Sequence, residues 1–165
     1  MRLSRLVQHL VIPGWWVLRA FPKSALRRIE QAITASERSH QGELRFVVEA
    51  NLPLPGLLHD QTPRQRATEL FAQLGVWDTE HNSGVLIYLQ LIDHCVEIVA
   101  DRGIHLRVGE GFWRAVCGRM EMAFRVGQYE SGSLRALDEI TRALAEHFPT
   151  SADNPDELPN APLIC

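Results

Sequence analysis

The residues best suited to chemistry begin in a short polar stretch in the middle of the chain. Asp78, Glu80 and Asn82 place oxygen-bearing side chains at every second position, as at the start of a calcium-binding loop. The continuation differs, because Ser83 stands where such a loop needs glycine and Leu89 where it needs a bidentate glutamate. The stretch is therefore not an EF-hand. Two interpretations stay open: a cation site of another geometry, or a turn whose side chains bond the local backbone.

Sheet topology would bring further oxygen ligands to the same place. In a hairpin, the end of one strand lies beside the start of the other, so Asp101 is expected near Asn82. Glu43 begins another predicted strand and lies at the same edge if that strand is parallel to its neighbour. The candidate ligands for Ca²⁺ or another divalent cation are Asp78, Asn82, Asp101 and Glu43. The alternative is that Arg102 neutralises these carboxylates.

Other chemistries find less support in the sequence. Neither a GxGxxG nor a GxxxxGK[ST] loop is present, and no GxSxG motif marks a serine hydrolase. Cys95, Cys117 and Cys165 form no CxxC pair, and the first two lie in apolar patterns typical of buried thiols. His40 and His81 belong to no HxH or HxxxH pair, so neither is predicted to bind zinc. The net charge of −3 gives no basic excess, and we expect no nucleic-acid partner.

The elements that must position these residues follow from hydrophobic periodicity. Helices are predicted over about 22–39, 62–74, 112–124 and 133–147, and strands over 43–50, 84–90 and 94–100. Residues 84–90 are apolar on both faces, which is typical of a strand covered on both sides. Residues 51–60 contain two prolines and a glycine and are expected to be a loop. We therefore expect an α/β fold in which a small mixed sheet is sandwiched between helices (α/β/α).

The two ends of the chain differ in composition from the middle. Residues 1–21 form a basic, apolar N-terminal segment without acidic residues, and 150–165 form a Pro-rich acidic tail that we expect to be loose or surface-laid. A single domain is predicted over 22–149. The N-terminal apolar run is too short and too interrupted for a signal peptide or a membrane span. Trp15 and Trp16 are candidate interaction residues that pack on the domain, on another copy of the chain, or on an anionic bilayer.

Three stretches in register resemble the TPM domain family. They are Ser36–Phe46, Asn82–Leu89 and Val96–Ile104. The closest similarity is to short bacterial members that begin with a basic tail and lack a signal peptide and a C-terminal membrane span. The resemblance implies an α/β/α sandwich, a weak acid-phosphatase activity in plant members and calcium binding in some bacterial members. The matched positions at the predicted cation site are Glu43, Asn82 and Asp101.

Three functions are compatible with these observations. The first is an accessory domain that binds an unidentified protein partner, with a divalent cation at one rim of the sheet. The second is a weak metal-assisted phosphatase, with a cation on Asp78, Asn82 and Asp101 and with Glu43 as general base. The third is a peripheral membrane protein anchored by its N-terminal segment. The cysteine pattern favours a cytoplasmic location, and self-association through the tryptophans is a further possibility.

Overall fold

The architecture comes from a computed structural model, which describes residues 7 and 9, residues 16–150 and residues 157–165. Trp15 therefore lies outside the described residues. The described elements are α1 (Trp16–Ala20), α2 (Lys23–Ser36), β1 (Leu44–Glu49), α3 (Leu54–Leu58), α4 (Pro63–Gln73), β2 (Val85–Gln90), β3 (Cys95–Ala100), α5 (Arg102–Val108), α6 (Glu110–Arg125), α7 (Tyr129–His147) and β4 (Leu163–Ile164).

The four strands form one mixed sheet in the order β3-β2-β1-β4. β1 is parallel to β2, with Leu44 opposite Val85, and it is also parallel to β4. β2 and β3 are antiparallel, with Val85 opposite Ala100. The predicted hairpin is confirmed, and so is the parallel pair joined through α4. This pairing brings the starts of β1 and β2 and the end of β3 to one edge of the sheet, which we call the N-terminal edge.

Each face of the sheet is covered, because the strand side chains alternate between two apolar cores. Leu44, Phe46 and Val48 of β1 enter the larger core, which they share with residues of α2, α6 and α7. Val47 points the other way, into a smaller core with Ala67 and residues of β2. The predicted α/β/α sandwich is confirmed. α4 begins as the sequence indicates, with a proline in its first turn and a Thr62 side chain that accepts the Gln65 N–H in a capping box.

Three short elements differ from the sequence-based expectations. Residues 51–60 are not entirely loop, because α3 occupies Leu54–Leu58. α5 follows β3 directly and was not predicted. No strand was predicted in 150–165, yet β4 forms there and adds to the free side of β1. With only two residues, β4 is too short for any periodicity, and it depends on bonds such as Cys165 N–H to the Val48 carbonyl at 3.0 Å.

Across the described ranges, none of the helices has the length and apolar content needed to cross a bilayer.

Candidate functional site

The N-terminal edge brings two of the predicted ligands into line with each other. The Glu43 carbonyl accepts the Val85 N–H at 2.8 Å, and the Asp101 N–H donates to the Gly84 carbonyl at 2.8 Å. Glu43, Gly84 and Asp101 therefore lie side by side on three neighbouring strands. The topological argument for this juxtaposition is correct at the level of the backbone.

The side chains of Glu43 and Asp101 are nevertheless kept apart. One strand lies between them, so their Cα atoms are about 10 Å apart. Gly84 fills the intervening position, and a Cβ added there would lie 1.9 Å from the Val76 carbonyl oxygen. The connection from α4 to β2 thus passes over Gly84, between the two carboxylates. This geometry disfavours one ion shared by Glu43 and Asp101.

Glu43 is only 2% exposed and holds a different part of the chain. Its carboxylate accepts the backbone N–H groups of Glu157 at 3.3 Å and Leu158 at 3.2 Å. Two positions along β1, the Arg45 guanidinium donates to the carbonyls of Pro159 and Ala161. Two buried charged side chains therefore fix residues 157–165, which we call the C-terminal strap, against the sheet.

This arrangement predicts that Glu43→Ala loosens the C-terminal strap. Bonds to a charged acceptor are worth about 2 kcal/mol each, so amide exchange at residues 157–165 should become at least about tenfold faster. Hydrogen exchange followed by mass spectrometry measures this directly. Asp138→Ala removes the same charge from an exposed ion pair on α7 and should leave strap exchange unchanged. Equal exchange in both variants would contradict the role of Glu43.

Asp101 sits at the start of α5 with one carboxylate oxygen in use. Its Oδ1 accepts the Arg102 N–H at 2.6 Å and caps the helix. Its Oδ2 is buried and has no hydrogen-bond partner among the described residues. Gly103 follows two positions later, and a Cβ there would lie 2.3 Å from the Asn82 carbonyl oxygen and 3.0 Å from that of His81. One carboxylate and two carbonyls therefore gather around the first turn of α5.

Asp78 and Asn82 are exposed residues of the turns between α4 and β2. The Asp78 N–H donates to the Gly75 carbonyl, and the Asn82 N–H donates to the Thr79 carbonyl at 3.2 Å. Asn82 has a φ of 50°, a left-handed conformation that asparagine tolerates well. These bonds form turns through the backbone and do not use the side chains of Asp78 and Asn82, so both interpretations of those side chains stay open. Among the described residues, no three His, Cys, Asp or Glu side chains form a group suited to hold a metal, so the cation site stays a prediction.

A buried polar cluster that the sequence analysis did not single out lies at the opposite edge, where β1 and β2 end. Glu49 is 1% exposed, and its carboxylate receives the Arg66 guanidinium through Nη2 at 2.8 Å and Nε at 3.2 Å. The Tyr88 hydroxyl donates to the same carboxylate at 2.5 Å. Burial, and then the Glu49 charge, raise the pKa of Tyr88. Burial alone would lower the pKa of Arg66, but Glu49 and Glu69 together raise it.

An open cleft of about 580 Å³ adjoins this cluster. Its lining residues come from the α3 region and α4: Pro53, Pro55, Gly56, His59, Gln61, Gln65, Arg66 and Glu69. The carboxyl ends of parallel strands are common places for ligand sites. Here the Arg66 guanidinium already bonds Glu49 and Glu69, which satisfies it internally. The cluster therefore acts first as a structural tie between β1, β2 and α4.

The burial of Cys95 and Cys117 agrees with their interpretation as packing residues. Both are half-buried. Burial, and then the Glu97 carboxylate, raise the pKa of each to about 12. Since the thiolate is the nucleophilic form, little reactive species exists at neutral pH.

Comparison with known proteins shows which family the chain belongs to. The sequence profile described as the TPM domain matches residues 19–143. The chain belongs to the TPM domain family. The solution structure of the BA42 protein from the psychrophilic bacterium Bizionia argentinensis is similar, with a TM-score of 0.75 and 28% identity over 86% of this chain and 93% of that one.

A second TPM-fold neighbour shows the fold alone. It is the N-terminal domain of a protein from P. gingivalis, with a TM-score of 0.61 and 22% identity over 85% of this chain and 94% of that one. No curated protein matches the chain. The resemblance inferred from the three sequence stretches is thereby confirmed. Cation binding, phosphatase activity and a cytoplasmic location stay predictions.

Proposed function

We propose that this TPM domain is a non-catalytic accessory domain that binds a divalent cation, Ca²⁺ foremost, beside Asp101. The observation that supports it most directly is the buried Asp101 Oδ2, which lacks a hydrogen-bond partner among the described residues. Burying a carboxylate oxygen without a partner is unfavourable, and a hard cation would remove that cost. The nearby carbonyls of His81 and Asn82 are oxygen ligands of the kind Ca²⁺ accepts.

The number of charged ligands around the cation determines how tightly Ca²⁺ would bind. Asp101 would supply the charged ligand, and the carbonyls of His81 and Asn82 would supply neutral oxygen ligands. The exposed side chains of Asp78 and Asn82 are close in sequence to these carbonyls. Water would complete the coordination sphere. Since few charged protein ligands take part, binding belongs to the weak end of Ca²⁺ sites, with a Kd of about 0.1–1 mM.

Binding is favoured over catalysis because of Glu43. In the phosphatase hypothesis Glu43 is the general base, which requires a carboxylate that can reach water at the cation. Here that carboxylate accepts two N–H groups of the C-terminal strap and lies across the α4–β2 connection from Asp101. A proton acceptor held in this way is poorly placed to activate water beside Asp101.

The test is a Ca²⁺ titration of the metal-stripped full chain, followed by amide NMR shifts and isothermal calorimetry. Saturable shifts should centre on residues 78–83 and 101–103. Asp101→Asn should abolish them, because asparagine caps α5 equally well but carries no charge. Asp138→Asn, an equal charge change on α7, should bind Ca²⁺ like the unchanged protein.

Two results would overturn the proposal. Shifts that stay flat around Asp101 would make this edge a structural turn. Hydrolysis of a phosphate monoester that depends on Ca²⁺ or Mg²⁺ and disappears in Asp101→Asn would replace the accessory domain with the phosphatase.

A further inference from the structure

One end of the molecule presents apolar and basic side chains together. A cleft of about 350 Å³ separates α1 from the turn between α6 and α7, and its lining includes Trp16, Arg19 and Tyr129. Val126 directly precedes Gly127 of that lining, and Met122 lies one helical turn before Val126 on α6; the two side chains are 70% and 60% exposed. We call the exposed set the α1 patch: Trp16, Leu18, Arg19, Met122, Arg125 and Val126.

Packing beneath the patch fixes its orientation. Val17 and Phe21 are buried in the larger core. The Phe21 ring packs edge-on against Phe124, with centroids 6.1 Å apart, and against Tyr129, with centroids 5.6 Å apart. α1 is therefore held against α6 and α7 by one side, while Trp16 and its neighbours face solvent.

The exposed charges of the patch itself are positive. Arg19 and Arg125 are exposed, and neither has an ion-pair partner in the described ranges. Lys23 and Arg27 continue the basic surface along α2. Of the acidic residues near this end, Glu130 is paired with Arg28 at 2.6 Å, and Glu121, one helical turn before Arg125, accepts the Val96 N–H at 3.3 Å. A chain with net charge −3 thus concentrates uncompensated positive charge around exposed apolar side chains.

We infer that the α1 patch docks on the surface of an anionic lipid bilayer. Tryptophan favours the boundary between headgroups and acyl chains, since its ring is apolar and its N–H can bond to polar groups. Arginines around it would bind lipid phosphates, and anionic lipids attract such basic groups. A bilayer matches both the apolar and the basic side chains of the patch, because its acyl chains and its negatively charged headgroups lie within one side-chain length of each other.

The first experiment is co-sedimentation of the full chain with phosphatidylcholine vesicles, with and without phosphatidylserine. Binding should require phosphatidylserine and weaken at high salt. Trp16→Ser should lower the partition coefficient about fivefold. Trp77→Ser is the matched control, because Trp77 is 55% exposed on the α4–β2 connection, on the other side of the sheet. That variant should partition like the unchanged protein.

A second pair of variants separates charge from burial. Arg19→Gln should also reduce partitioning about fivefold, since each basic residue near an anionic surface contributes comparably. Arg142→Gln removes the same charge from an ion pair on α7 and should have no effect. The inference fails if the full chain stays in the supernatant with phosphatidylserine vesicles, or if Trp16→Ser and Trp77→Ser partition equally. It also fails if gel filtration shows a dimer lost in Trp16→Ser without vesicle binding, because a second copy then covers the patch.

Discussion

Arg66→Ala should lower the free energy of unfolding by about 3–5 kcal/mol, because it leaves a buried carboxylate without its cation. The Glu49 side chain is 2% exposed and that of Arg66 12% exposed, so the ion pair is buried and its loss leaves the carboxylate poorly hydrated. The Tyr88 hydroxyl would remain as a neutral donor to a charge that needs more than one partner. Urea denaturation monitored by circular dichroism measures the change.

Two variants make this result specific. Arg142→Ala removes an arginine from an exposed pair with Asp138, and its denaturation midpoint should not move. Glu49→Gln combined with Arg66→Met removes both charges and keeps most of the volume, so it should be more stable than Arg66→Ala alone. If Arg66→Ala loses less than about 1 kcal/mol, the Glu49 carboxylate is hydrated and the cluster does not tie the strands together.

The part of the fold that local patterns control was predictable from the sequence. β1 alternates between two apolar environments, and β2 is apolar throughout, so a period of two identified the first strand and a short, continuous apolar run identified the second. The order of strands and helices then limited the topology, because a strand, helix and strand make a parallel pair most simply. The alignment of Glu43 with Asp101 at the N-terminal edge followed from that topology alone.

What surrounds those residues depends on contacts between distant parts of the chain. Glu43 bonds N–H groups 114 and 115 positions further along, and no local pattern connects them. The sequence made Glu43 a candidate cation ligand because it begins a strand at the same sheet edge as Asn82 and Asp101. The same limit applies to β4, whose pairing with β1 is set by bonds across more than a hundred residues.

The separation of the two carboxylates depends on Gly84, a residue the sequence marks only weakly. A glycine before a strand suggests a turn or a close backbone approach, but not which backbone comes near. Here it is the Val76 carbonyl. Similarly, the burial of Glu49 at the end of β1 requires Arg66, which comes from α4.

Lowering the pH from 6.5 to 4 should destabilise the domain by about 3 kcal/mol through His40 alone. His40 is fully buried, and burial lowers its pKa from 6.5 to about 4. The unfolded chain therefore binds a proton more readily than the folded one, so stability is full above pH 6.5 and is lost as the pH falls towards 4. The Gly42 N–H donates to Nδ1 at 3.1 Å, so Nε2 carries the proton and donates to Ser36 Oγ at 2.7 Å.

His40→Asn isolates this contribution from the carboxylates that titrate over the same range. The variant cannot take up that proton, so the difference in unfolding free energy between it and the unchanged protein should shrink by most of about 3 kcal/mol between pH 7 and pH 4.5. His59→Asn, at an exposed histidine, is the matched control. A constant difference for His40→Asn would mean that His40 protonates in the folded state without cost.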